Sequence, residues 1–162
     1  SAETATGKHP IETVEAMAMI ALEAERAEDV SIDADFANKR FGRIDQSIAM
    51  GALFTAYHLG CKAILALTES GSTALWMSRY RSHTPIFGLT SQPVTQRRMA
   101  LYRNVRPLLM PNFGDRDTAL AAAEKILVDR GVLKPGDTYA ITCGEPMGYP
   151  GGTNMLKVCR VG

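Results

Sequence analysis

From Ile44 onward, helix-length stretches alternate with apolar runs of about five residues, and few folds accommodate that alternation. Ile44–Leu59 reads as a helix, with Asp45 as a cap and Gly60 as its stop. Ala63–Leu67 is an unbroken apolar run ending in a turn, as expected of a parallel strand buried on both faces. A helix over Thr73–Tyr80, a strand over Pro85–Leu89, a helix over Pro93–Tyr102 and a strand over Val105–Met110 follow. Asp117–Arg130 is helical, with Leu120, Ala123, Ile126 and Leu127 inward and Gly131 closing it. Asp137–Thr142 and Asn154–Val161 are two last strands around a Gly/Pro-rich loop. The implied class is α/β: three layers, α/β/α, around a mostly parallel five-stranded sheet. No helix joins the last two strands, so the final one is antiparallel.

The chain before Ile44 has a different character. Ser1–His9 is small, polar and loop-like, and Pro10 starts a helix where its missing N–H costs little. Ile11, Val14, Met17, Ala18, Ala21 and Leu22 recur at helical spacing, with Glu12, Glu15, Glu23 and Glu25 mostly opposite, to an end near Glu28. The stretch up to Arg43 lacks periodicity. The organisation is therefore 1–30, a linker at 31–43, and a domain over 44–162. A first residue of Ser, within a loop, reads as a piece cut from something longer.

A net charge of +1 gives no general pull toward nucleic acid or a membrane, so any anion site must be local. The three cysteines, Cys61, Cys143 and Cys159, are odd in number and lack CxxC spacing, which favours reduced thiols in a cytoplasmic protein. No apolar run reaches a membrane span, and no signal-peptide pattern is present. His9, His58 and His83 lie far apart without ligand spacing, which argues against a metal site. GxSxG, GxGxxG and a Walker-type lysine loop are all missing.

In an open parallel sheet, ligands sit beyond the carboxyl ends of the strands. After the first strand comes Thr68-Glu69-Ser70-Gly71-Ser72-Thr73, four hydroxyls and a glycine leading into a helix. Backbone N–H groups at a helix start and donating hydroxyls suit a phosphate, and Gly71 permits close approach. The plainer reading is that Ser70 or Ser72 caps the helix. The second segment, Gly144-Glu145-Pro146-Met147-Gly148-Tyr149-Pro150-Gly151-Gly152-Thr153-Asn154, is too long for a tight hairpin. It reads either as a binding loop folding over a ligand or as a surface connection. Arg79, Arg81, His83, Arg97 and Arg98 could steer an anion but read more simply as solvated surface, and Trp76 as core.

An ordered set of motifs adds a resemblance. Ser1-Ala2-Glu3-Thr4-Ala5 with Gly7-Lys8-His9-Pro10 and Glu12 resembles the segment that ends the catalytic barrel of pyruvate kinases. The resemblance continues through Thr68-x-Ser70-Gly71-x-Thr73, Ser78-Arg79-Tyr80-Arg81 and Pro85-Ile86. It runs on through Leu101-Tyr102-Arg103-Asn104-Val105, Lys134-Pro135-Gly136-Asp137 and Gly152-Thr153-Asn154. It implies that 1–30 is the tail of that barrel, a loop and its last helix, and that 44–162 is the carboxy-terminal α/β domain. The phosphoryl-transfer residues, the magnesium and potassium sites and the catalytic lysine would lie outside this chain, leaving it inactive alone. Ser1 matches a serine at the edge of the family's active site.

The resemblance also implies an allosteric phosphorylated effector. Thr68, Glu69, Ser70, Gly71, Ser72 and Thr73 would form its phosphate loop, with Gly144, Glu145, Gly148, Tyr149, Gly151, Gly152 and Thr153 in the covering loop. A homo-oligomer is implied as well, a tetramer for the whole protein or a dimer for this chain, with no nucleic-acid or membrane partner. Gly144–Asn154 lacks the Trp and Arg that fructose-1,6-bisphosphate-regulated members use, and Glu69 puts a carboxylate in the phosphate loop. Both favour a monophosphate: a hexose or pentose monophosphate or AMP, as in bacterial enzymes of that type. Two other readings remain, a free-standing α/β hydrolase or phosphatase and an oligomerisation module without ligand. Without a barrel to cover it, the apolar face of residues 11–28 is expected to be detached, disordered or docked on a neighbouring molecule.

Overall fold

A computed structural model describes residues 2–27 and 40–162. It divides into two compact units, Ser1–Ser31 and Ile32–Gly162. In the first, α1 spans Ala2–Thr6 and α2 spans Pro10–Ala27. The expected opening loop is thus in part a helix, which lacks any apolar periodicity because it buries no residue. Glu3 ties the two helices, its Oε1 accepting from the His9 amide at 2.9 Å. The apolar residues of α2 are open, with Ile11 and Ile20 each 70% exposed. Ser1, Glu28 and the first nine residues of the expected linker lie outside the described residues.

The second unit runs α3 (Ile44–His58), β1 (Ala63–Leu67), α4 (Ser72–Ser78), β2 (Ile86–Thr90), α5 (Pro93–Met99), β3 (Val105–Leu109), α6 (Arg116–Asp129), β4 (Thr138–Gly144) and β5 (Thr153–Arg160). The strands form one sheet in the order β3-β2-β1-β4-β5, parallel except for β5 against β4. The three-layer α/β arrangement follows from alternation along the central strands. Ala63, Leu65 and Leu67 of β1 face one core, joined by Leu120, Ala123 and Leu127 of α6. Ile64 and Ala66 face the other, joined by Ala49, Met50 and Leu53 of α3, Ala74 and Met77 of α4, and Met99 of α5. Both faces of β1 are therefore covered, and all five of its residues are buried.

The strand order fixes where loops separate. From β1 the chain moves through α4 to β2 on one side, and it returns through α6 to β4 on the other. The crevice of a doubly wound sheet opens where neighbouring strands send their loops apart. Here that point lies between β1 and β4, and both Gly-containing segments start there.

Candidate functional site

Gly71 is the N-cap of α4, with φ 78°, and no side chain caps the helix. Most residues resist that left-handed backbone, and glycine accepts it without strain. A side chain there would also crowd Met99 and Thr95. The reading of Ser70 or Ser72 as a plain cap therefore does not describe this turn. Instead Thr68 Oγ1 accepts from the Gly71 amide at 3.0 Å, and Ser70 Oγ accepts from the Ser72 amide at 3.4 Å.

The six residues of this loop divide between two surroundings. Thr68 and Glu69 line a cleft at the carboxyl ends of β1–β4, opposite Ser91, Phe113, Met147 and Tyr149. The Glu69 carboxylate accepts from Ser91 Oγ at 3.1 Å and from Gln92 Nε2 at 3.4 Å, and Thr95 Oγ1 donates to its carbonyl at 2.8 Å. Ser70 and Ser72 do not line the cleft. Ser70 Oγ donates to Ser72 Oγ at 3.1 Å, and Ser72 Oγ donates to Asp45 Oδ2 at 3.3 Å. Thr73 is fully buried, and its hydroxyl shares a 2.7 Å hydrogen bond with Thr153 at the start of β5. That bond ties the first loop to the second.

Asp45 does not cap α3, because it stands one residue inside the helix while Arg43 holds the capping position. Only 2% exposed, it accepts from Arg43 Nε and Nη2, both at 2.9 Å, and from the Gln46 amide at 2.9 Å. A bidentate guanidinium favours the ionised carboxylate. The Arg43 hydrogen bonds accordingly hold the Asp45 carboxyl below the usual carboxylate range, against the opposing pull of burial. Sequence reasoning placed Arg43 in a linker. Its only signal was two residues of separation from an acid in a first helical turn, which is common on any surface.

The second loop is shaped by hydrogen bonds at both ends. Asn154 closes its base, with Oδ1 accepting from the Glu145 amide at 2.9 Å and Nδ2 donating to the Glu145 carbonyl at 2.7 Å. Tyr149–Gly152 forms a turn in which the Gly152 amide donates to the Tyr149 carbonyl at 3.0 Å. Pro150 second and Gly151 third, with φ 72°, fit a type II turn. Gly144, Gly148, Tyr149, Gly151 and Thr153 border the cleft with Met147, whereas Glu145 and Gly152 do not. Glu145 instead lies 3.5 Å from Arg116 Nη1. Burial pushes the neighbouring Cys143 thiol up to about 11, which leaves it a poor nucleophile.

Among the described residues, no group of three or more His, Cys, Asp or Glu could hold a metal ion. No helix among them is long and apolar enough to cross a membrane.

Comparison with known proteins gives the geometry a context. The family described as pyruvate kinase, alpha/beta domain, matches residues 46–159. Pyruvate kinase of Buchnera aphidicola subsp. Baizongia pistaciae is 40% identical over 162 residues, covering 99% of this chain and 34% of that protein. Pyruvate kinase II of Salmonella typhimurium is 39% identical, covering 99% of this chain and 34% of that protein. Pyruvate kinase of Haemophilus influenzae is 37% identical over 161 residues, covering 99% of this chain and 33% of that protein. The chain spans about a third of the length of the curated relatives it matches.

Proposed function

Since the chain belongs to the pyruvate kinase family, we propose that it is the regulatory carboxy-terminal part of such an enzyme and binds a phosphorylated monophosphate effector. The parent enzyme would transfer phosphate from phosphoenolpyruvate to ADP in the cytoplasm, using magnesium and potassium held outside this chain. The chain alone would transfer no phosphate, and its α/β domain would contribute to contacts in a homo-oligomer.

One observation carries the effector reading. Two Gly-containing loops meet at the switch point of the sheet, joined by the Thr73–Thr153 hydrogen bond at 2.7 Å. An anion on the first loop would be reached directly by the second. Glu69 supports the preference for a single phosphate, because its carboxylate borders the cleft where a second phosphate would lie.

Calorimetric titration with glucose 6-phosphate, ribose 5-phosphate, AMP and fructose 1,6-bisphosphate tests this. At least one monophosphate should bind more tightly than the bisphosphate. Ser70→Ala should weaken it at least about tenfold, the lower end of the range for one hydrogen bond to a charged group. Heat from none of the four compounds would remove the effector and leave an oligomerisation module. Turnover of a phosphate ester by the chain itself would point to a free-standing enzyme.

A further inference from the structure

An anion-binding loop needs a cation or many donors, and Thr68–Thr73 supplies no basic residue of its own. The fold brings one from elsewhere. Arg43, just before α3, is 56% exposed at its side chain and reaches the Ser70–Ser72 pair through Asp45. Arg43 Nη2 and Ser72 Oγ donate to the same oxygen, Asp45 Oδ2, at 2.9 and 3.3 Å. The guanidinium and the hydroxyl therefore converge on one carboxylate oxygen.

We propose that Arg43 is the cationic residue that grips the phosphate of the ligand beside Ser70 and Ser72, held in place for that task by Asp45. The inference rests on the effector reading above and adds a residue to that site. A guanidinium has five N–H groups and two edges suited to bidentate pairing. Asp45 occupies the edge formed by Nε and Nη2. The other edge, Nη1 with the second N–H of Nη2, meets no acceptor among the described residues. Three donors of fixed geometry thus remain for a phosphate, which Arg binds in a fork. Because Asp45 is paired, the carboxylate next to the hydroxyls does not repel an arriving anion as a lone charge would.

Gly151 supplies an independent reason to place the ligand here. A Cβ added to it would lie 3.1 Å from Arg43 Nη2, so the turn of the second loop rests against the guanidinium. Gly151 also borders the cleft lined by Thr68 and Glu69. A phosphate on Arg43 would therefore touch both loops and leave the rest of the ligand to extend past Gly151. The Ser70 hydroxyl has to turn from Ser72 toward the phosphate, while Ser72 keeps its bond to Asp45.

The experiment is a double-variant cycle on the protein, read by calorimetry with glucose 6-phosphate, ribose 5-phosphate and AMP, alongside urea unfolding. Arg43→Gln leaves Asp45 unpaired and should lower both stability and affinity. Combining it with Asp45→Asn removes both charges and should restore the unfolding midpoint relative to Arg43→Gln alone. If Arg43 touches the phosphate, the double variant still binds at least about tenfold more weakly than wild type. Double-variant affinity equal to wild type would mean that Arg43 serves only Asp45, and would overturn the proposal. Arg43→Lys keeps the charge and a partner for Asp45 but not the fork, so it should lose several-fold in affinity with little change in stability. Wild-type affinity in Arg43→Lys would overturn the proposal even if the double variant fails to fold. Should none of the three compounds bind wild type, the effector reading itself falls and takes this one with it. That outcome differs from a wild type that binds and a double variant that binds equally.

Discussion

Helices α2 and α3 are of similar length, 18 and 15 residues, yet they end in opposite circumstances. In α3, Ala49, Met50, Ala52, Leu53 and Ala56 are buried, and Ala49, Ala52 and Ala56 are fully covered. In α2, Ile11, Met17, Met19 and Ile20 are between 61% and 70% exposed. Both helices carry large apolar side chains, yet α2 leaves all of its own largely exposed. An apolar stripe makes a helix worth forming only against a partner. For α3 that partner is the sheet face carrying Ile64, Ala66 and Ala140, on which its small alanines permit close approach. A stripe specifies a face to be covered but not what covers it.

The largest effect expected from this contrast is in the core. Met50→Ala should cost about 2–5 kcal/mol, the range for truncating a large buried side chain. Met17→Ala on α2 should stay within about 0.5 kcal/mol, as for most exposed positions. Urea midpoints at constant slope measure both. A loss for Met17→Ala comparable to that for Met50→Ala would show that the face of α2 is covered in solution, and the contrast would collapse.

The same distinction marks what the sequence discloses. Strands β1 and β2 were readable because a fully buried strand is a short, largely apolar run. Ala63–Leu67 matches to the residue. Gly60 and Gly131, with φ of 60° and 70°, were readable as helix ends because glycine tolerates that backbone. The five residues of α1 were not, since a helix that buries nothing leaves no periodic trace. The wiring of the site was the least legible part. The partnership of Asp45 with Ser72 spans 27 residues, and that of Glu69 with Ser91 spans 22. Such pairs are set by how α3 and β2 lie beside β1, and no local spacing encodes that. The hydroxyl loop could be found by composition, whereas the arginine serving it could not.

Both helices carry an acid in the first turn, and an intermediate effect is expected at the one in α3. Asp45→Asn should cost about 1.5–3 kcal/mol near neutral pH, because it removes charge-assisted hydrogen bonds from a buried carboxylate. The folded carboxyl is held below its usual range by Arg43, so its contribution is present above the unfolded value, about pH 4. It is lost as pH falls from there through the folded value. The stability gap between wild type and Asp45→Asn should therefore be constant above about pH 5 and shrink below about pH 4. A gap that widened on acidification would reverse the sign and remove Asp45 as the ionised partner of Arg43.

The smallest effect belongs to the matching acid of α2. Glu12 lies 3.9 Å from His9 Nδ1, with the two side chains 68% and 70% exposed. A pair at that distance in water gains little, since solvent and salt screen it and two side chains must be held in one geometry. Glu12→Gln keeps the shape and removes the charge, so it should change stability by less than about 0.5 kcal/mol at any salt concentration. Asp45 and Glu12 occupy similar helical positions, and their sequence neighbourhoods do not separate them. What separates them is burial, which the sheet imposes on one and not on the other. A loss for Glu12→Gln that approached that for Asp45→Asn and survived high salt would place Glu12 against a partner that shields it from water, and α2 would no longer be the uncovered helix of the pair.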